Sequence, residues 1–136
     1  MTEGSTIIVG LSGGADSVCL MDLLYRSGYE VIAAHVNFHL RGSESDRDET
    51  FVRRLCRDRY PDARLVVRSF DTIGYAQEQG LSVEMAARVL RYDWFAELMV
   101  EYEAAAIAVA HHAGDQVETL LLNLARGTGG RGLCGM

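Results

Sequence analysis

Three short runs in this chain are apolar almost from end to end: TIIVG at 6–10, VIAAHV at 31–36 and AAAIAVA at 104–110. A strand with one wet face alternates apolar and polar residues, whereas an unbroken run suits a strand covered on both faces. A fourth strand is expected over Ala63–Phe70, after the turn at Pro61. Between the strands the apolar spacing becomes helical. Helices are expected over Asp16–Ser27, with Gly28 just past the end, and over Asp46–Arg59, with Ser45 and Asp48 as a capping pair. DTIGYAQEQG at 71–80 reads as a short helix or turn. Ser82 is placed to cap a long helix reaching Tyr102, with Val83, Ala87, Leu90, Trp94 and Leu98 on its apolar face. The stretch VETLLLNLA reads as a final helix ending at Gly127. Strand alternating with helix predicts an α/β fold, a doubly wound parallel sheet with helices on both faces, Rossmann-like.

At 136 residues the chain is expected to form one domain over 1–136. No apolar run reaches the roughly 18 residues that span a bilayer. The start, MTEGSTIIVG, lacks the basic region of a secretion signal, so the expected compartment is the cytoplasm, with no membrane partner. Formal net charge is −6, and all thirteen basic residues are arginine. That balance does not support broad, non-specific nucleic-acid binding. Cys19, Cys56 and Cys134 form no CxxC, so a zinc or iron–sulfur site is not expected; Cys19 and Cys56 read as buried thiols.

LSGGADS at 11–17 joins the first strand to the first helix. Gly13 and Gly14 let backbone N–H groups turn toward an anion, and the helix start adds a favourable dipole. The loop is neither GxxxxGK[ST] nor GxGxxG. An aspartate beside phosphate is unfavourable unless a cation lies between them, so Asp16 points to a magnesium bridge. Ser12 and Ser17 can add hydroxyl donors. The plain alternative makes Asp16 and Ser17 ordinary helix-start residues and the glycines a tight turn.

SGGADS resembles the SGGxDS loop of the N-type ATP pyrophosphatases, the PP-loop superfamily. HVNFHLRGSESDRDE at 35–49, SVEMAARVLRYDWF at 82–95, AVAHHAGDQVETLLLNLARGTG at 108–129 and the closing RGLCGM narrow the resemblance. Together they are similar to the N-terminal catalytic domain of the tRNA(Ile)-lysidine synthetase family. The resemblance implies that ATP adenylates a cytidine of the isoleucine tRNA anticodon. The amine of free lysine then displaces AMP, after pyrophosphate has left. It implies ATP and Mg2+ as cofactors, and tRNA(Ile) and lysine as substrates. It places Ser12, Gly13, Gly14, Ala15, Asp16, Ser17 and Asn37 on the nucleotide. The metal would lie at Asp16 and Asp115.

In an open parallel sheet the ligand crevice lies beyond the carboxyl ends of the strands, where their order reverses. With the first strand central, LSGGADS and AHHAGDQVET would share one rim. His111 and His112 are candidates for phosphate contact or for orienting a reacting group, against a plain polar strand end. Asp115 and Glu118 have capping-box spacing; the functional reading turns Asp115 to the cation or the amine. The family has two acidic residues before the glutamine, and Gly114 stands at the first of these positions. Glu84, Arg88 and Arg91 share a helical face. By composition this is a solvated ion-pair row; by resemblance the arginines hold phosphate or RNA, Glu84 orients them, and Arg88 and Arg91 join the catalytic set. His39, Arg41, Arg126 and Arg131 are candidates for RNA. Two rival readings are another PP-loop enzyme, such as a tRNA thiolase or an amidotransferase-linked synthetase, and a nucleotide-binding module without catalysis. The family's catalytic domain continues past GLCGM, so the chain is expected to be truncated there, with an exposed sheet edge and a possible homodimer.

Overall fold

The apolar runs become strands because their side chains are covered from two sides. The computed structural model describes residues 4–40, 42–113 and 116–122, the backbone alone for 111–113 and 116–122. Its elements are β1 (Thr6–Gly10), α1 (Ala15–Arg26), β2 (Glu30–Asn37), α2 (Ser43–Arg59), β3 (Arg64–Ser69), α3 (Thr72–Gln79), α4 (Val83–Glu101), β4 (Ala106–Ala113) and β5 (Gln116–Leu122). The sheet runs β3, β2, β1, β4, β5 from edge to edge. The first four strands are parallel, and β5 is antiparallel to β4.

Odd-numbered residues of the central strands (Ile7, Val9, Val31 and Ala33) pack against Leu20, Met21 and Leu24 of α1 and Val52 and Cys56 of α2. Even-numbered residues (Ile8, Ile32, Ala34) meet Trp94, Phe95, Leu98 and Met99 of α4. The split follows from chain direction. From β1 to β3 the strands step one way, and then the chain returns across β1 to reach β4. Right-handed crossovers stepping in opposite directions must lie on opposite faces. This is the doubly wound α/β sheet expected from the sequence.

Four details differ from expectation. Helix α2 starts at Ser43, with Gly42 at its N-cap in a positive-φ conformation and no side-chain cap; Ser45 lies within its first turn, where its N–H donates to the Gly42 carbonyl. The buried face of α4 is turned toward Phe95 and Met99, so Val83 is exposed. Cys19 is exposed and only Cys56 is buried, where loss of water pushes its thiol pKa up. The segment 116–122, expected to be helical, is strand β5. Short apolar runs such as VETLLL do not distinguish helix from strand by period, and pairing satisfies backbone groups along β4 that would otherwise form an open edge. At the opposite edge lies β3, whose Arg64 and Arg68 are exposed, a charge placement that discourages strand addition. No helix among the described residues is long and apolar enough to cross a membrane.

Candidate functional site

A cavity of about 290 Å³ opens at the carboxyl ends of β1 and β2, beside β4. Gly10, Leu11 and Ser12 line it from β1, Ala34 to Phe38 from β2, and Val109 and Ala110 from β4. Arg91 and Phe95 of α4 also border it, as do Ser45 and Asp48 of α2. It lies at the reversal of strand order, where ligands of open α/β sheets bind. Gly10 fits closely at its floor: a Cβ there would sit 3.2 Å from Phe95 Cζ, so the ring would have to shift by a few tenths of an ångström.

The loop beside the cavity is already wrapped around an oxygen atom. Ser17 Oγ is buried and accepts the N–H groups of Ser12 and Gly13, each at 3.2 Å. It donates to the Gly14 carbonyl at 2.9 Å, and Ser12 Oγ lies 3.1 Å away. Successive amides turned the same way make the kind of concavity that can bind an anion; here the Ser17 hydroxyl fills it. Gly13 holds φ at +103° to make the turn. Helix α1 has Gly14 at its N-cap and no side-chain cap, whereas α3 and α4 are capped by Asp71 and Ser82. The side chain that would normally cover the helix-start amides is therefore missing beside the cavity, which leaves room for an anion to do so. Asp16 is half-buried in this first turn.

The loop after β2 is braced from three sides. Asn37, 2% exposed, donates through Nδ2 to Asp46 Oδ1 and Glu49 Oε1, both at 3.1 Å. Its Oδ1 accepts the His39 N–H at 2.9 Å, an Asx turn that holds His39 at φ +55°. Thr72 Oγ1 donates to the Phe38 carbonyl, and the Phe38 ring stacks on Phe70. The Arg91 guanidinium lies 5.2 Å from the Phe38 ring centroid. Burial lowers the Arg91 pKa, yet a guanidinium remains charged at any physiological pH. Arg91 is thus a partly desolvated cation in the cavity wall.

Asn37, expected to touch nucleotide, borders the cavity while its amide anchors α2. The Asn37 hydrogen bond, joined by Arg53, holds the Glu49 carboxyl below its usual pKa against the opposing effect of burial. Asn37→Ala is expected to cost about 1–3 kcal/mol near neutral pH, because it removes two hydrogen bonds to carboxylates and the turn at His39. A depressed carboxylate pKa contributes stability above the unfolded-state value, and this is lost as pH falls through the folded-state value. Urea melts should therefore show the gap between wild type and variant narrowing as pH drops below about 4.5. A gap independent of pH would assign the whole loss to packing.

The fold brings Ser12, Gly13, Gly14, Asn37 and Arg91 to one place. Arg88 and Glu84, one and two turns earlier on α4, do not line the cavity; Arg88 stacks over Tyr92, and no ion pair joins it to Glu84 among the described residues. Parallel register sets Val109 beside Gly10, so the His111 and His112 positions on β4 continue past the end of β1. The side chains of His111, His112 and Glu118, and all of Arg41, Asp115, Arg126 and Arg131, lie outside the described residues. Sequence reasoning passed over His35, Phe38 and Phe95. A lone histidine at the carboxyl end of a buried strand was the available signal for His35.

A family model described as the PP-loop domain matches residues 2–136. The chain is 58% identical over 130 residues to a tRNA(Ile)-lysidine synthase of Porphyromonas gingivalis, covering 96% of this chain and 28% of that protein. It is 56% identical over 130 residues to one of Bacteroides thetaiotaomicron, with 96% and 30% covered. It is 46% identical over 140 residues to one of Bacillus subtilis, with 98% and 29% covered. The chain thus spans about three tenths of the length of these relatives. These matches bear out the resemblance drawn from the sequence.

Proposed function

Because the chain belongs to the PP-loop domain family, we propose that it binds ATP and activates it for ligation of lysine to a cytidine of tRNA(Ile). The carrying observation is the glycine turn, with its Ser12 and Gly13 amides gathered on Ser17 Oγ, leading into the uncapped start of α1 beside a cavity of about 290 Å³ at the strand-order reversal. The triphosphate lies along the loop and the start of α1, and adenosine fills the cavity. Arg91 offsets phosphate charge that develops as pyrophosphate leaves.

Among the described residues no three acidic, histidine or cysteine side chains group into a metal cage. A single carboxylate, Asp16, beside a phosphate nest is the donor set that suits Mg2+, which binds through one or two carboxylates and completes its shell with phosphate oxygens and water. Asp115 is proposed as the second carboxylate. When bound, the ion would neutralise phosphate charge. His111, His112, Arg88 and Glu118 are proposed to hold the acceptor side, and Glu84, His39, Arg41 and Arg126 the RNA.

The test combines titration of ATP, with and without Mg2+, and an assay for labelled lysine entering tRNA(Ile) with AMP release. Transfer to tRNA(Ile) supports the full reading. ATP binding without AMP release in the presence of both substrates supports a nucleotide-binding module instead. Absence of ATP binding removes both.

A further inference from the structure

His35 is 3% exposed and lines the cavity. Its Nδ1 lies 2.8 Å from the Leu11 carbonyl oxygen. A carbonyl can only accept, so the proton is on Nδ1. When the ring carries that one proton alone, Nε2 is a pure acceptor. Nε2 is fully buried and has no hydrogen-bond partner among the described residues. Buried polar atoms are almost always paired, and an orphan at the wall of a cavity implies a donor that arrives with a ligand.

The nature of that donor follows from the tautomer. Phosphate oxygens near neutral pH are acceptors, so the triphosphate cannot satisfy Nε2. A nucleotide's donors are the 6-amino group of adenine and the ribose hydroxyls. Resting on the ATP reading above, we propose that His35 is a specificity-determining residue. Its ring, locked by Leu11 as an acceptor, takes a hydrogen bond from a donor on the adenosine half of the nucleotide. Leu11 immediately precedes the phosphate nest, so one short stretch would orient the ring on one side and hold phosphate on the other.

The test titrates the chain with ATP, purine riboside triphosphate (which lacks the 6-amino group), 2′-deoxyATP and 3′-deoxyATP. Wild type is expected to bind one of the three analogues about tenfold more weakly than ATP, the usual effect of leaving one buried acceptor unpaired. The same comparison in His35→Phe should bring ATP and that analogue within about twofold. His35→Asn, which keeps a donor for Leu11 and an acceptor for the ligand, should retain part of the gap and guards against misfolding of the first variant. The 15N resonance of His35 Nε2 gives a readout without mutation: it should move on adding ATP and stay in place with the discriminated analogue. Equal binding of all four nucleotides by wild type, or an unchanged gap in His35→Phe, overturns the proposal and leaves ATP binding standing. No binding of any nucleotide defeats the ATP reading and this inference together.

Discussion

Asp16→Ala is expected to reverse the effect of magnesium on ATP binding. If Mg2+ joins the Asp16 carboxylate to the phosphates as proposed, the variant should bind ATP about 10–100-fold more weakly than wild type when the ion is present, the effect of losing one or two charge-assisted contacts. With the ion chelated, the same carboxylate would face phosphate oxygens across the first turn of α1 and repel them. There the variant should bind at least as tightly as wild type. Calorimetric titration under the two conditions gives four affinities, and their crossing is the signature. If Asp16 only favours the helix dipole, the variant loses roughly 0.3–1 kcal/mol of stability. Its response to magnesium is then that of wild type, and the metal-bridge role fails.

A larger effect is expected at Gly13. Its φ of +103° is closed to β-branched residues, although a Cβ there would meet nothing nearer than Val52 Cγ2 at 3.6 Å. The obstacle is the backbone conformation itself, which costs on the order of 1–3 kcal/mol when forced on a residue with a side chain. Gly13→Val should relieve that strain by turning the peptide, and its N–H then leaves Ser17 Oγ. ATP affinity should fall at least about a hundredfold, while far-ultraviolet circular dichroism still reports the fold. Gly80→Ala is the control. Gly80 is also left-handed, at φ +67°, but it ends α3 in open space. It should cost about 1 kcal/mol and leave ATP binding unchanged. Comparable losses of affinity in both variants would mean that general destabilisation, not nest geometry, governs binding.

Much of this arrangement was legible from pattern alone. The runs TIIVG, VIAAHV and AAAIAVA announce strands covered on both faces, and the helices between them dictate crossovers, so a parallel sheet with a rim-side crevice follows. Ser82 as a cap and Gly13 as a forced turn were readable because each residue type has a local backbone role. What escaped reading depends on distant partners. Asn37 borders the cavity as expected, but that Asp46 and Glu49, brought round by α2, take its amide protons is visible only in the fold. His35 looks like one more strand residue until the Leu11 carbonyl from the neighbouring strand fixes its tautomer. Gly42 hid the start of α2, because a glycine with positive φ can end one segment or begin another. VETLLL was ambiguous in principle, being too short for its period to separate a helical turn from a paired strand. Asp115 and the arginines of the glycine-rich tail lie outside the described residues.

The order in which the sheet is closed has a kinetic side. Strands β1, β2 and β3 join through neighbours close along the chain, but Ile7 pairs with Ala106, the most distant partner in the parallel part of the sheet. Contacts between such remote positions carry a large loop-closure cost and tend to form late. The wall contributed by Val109 and Ala110 would then be among the last pieces set in place. On the ribosome, the glycine loop would emerge long before the cavity had its far side. A ligand that recognises only the closed cavity would act as a latch on folding, raising apparent stability in proportion to the logarithm of its concentration above its dissociation constant.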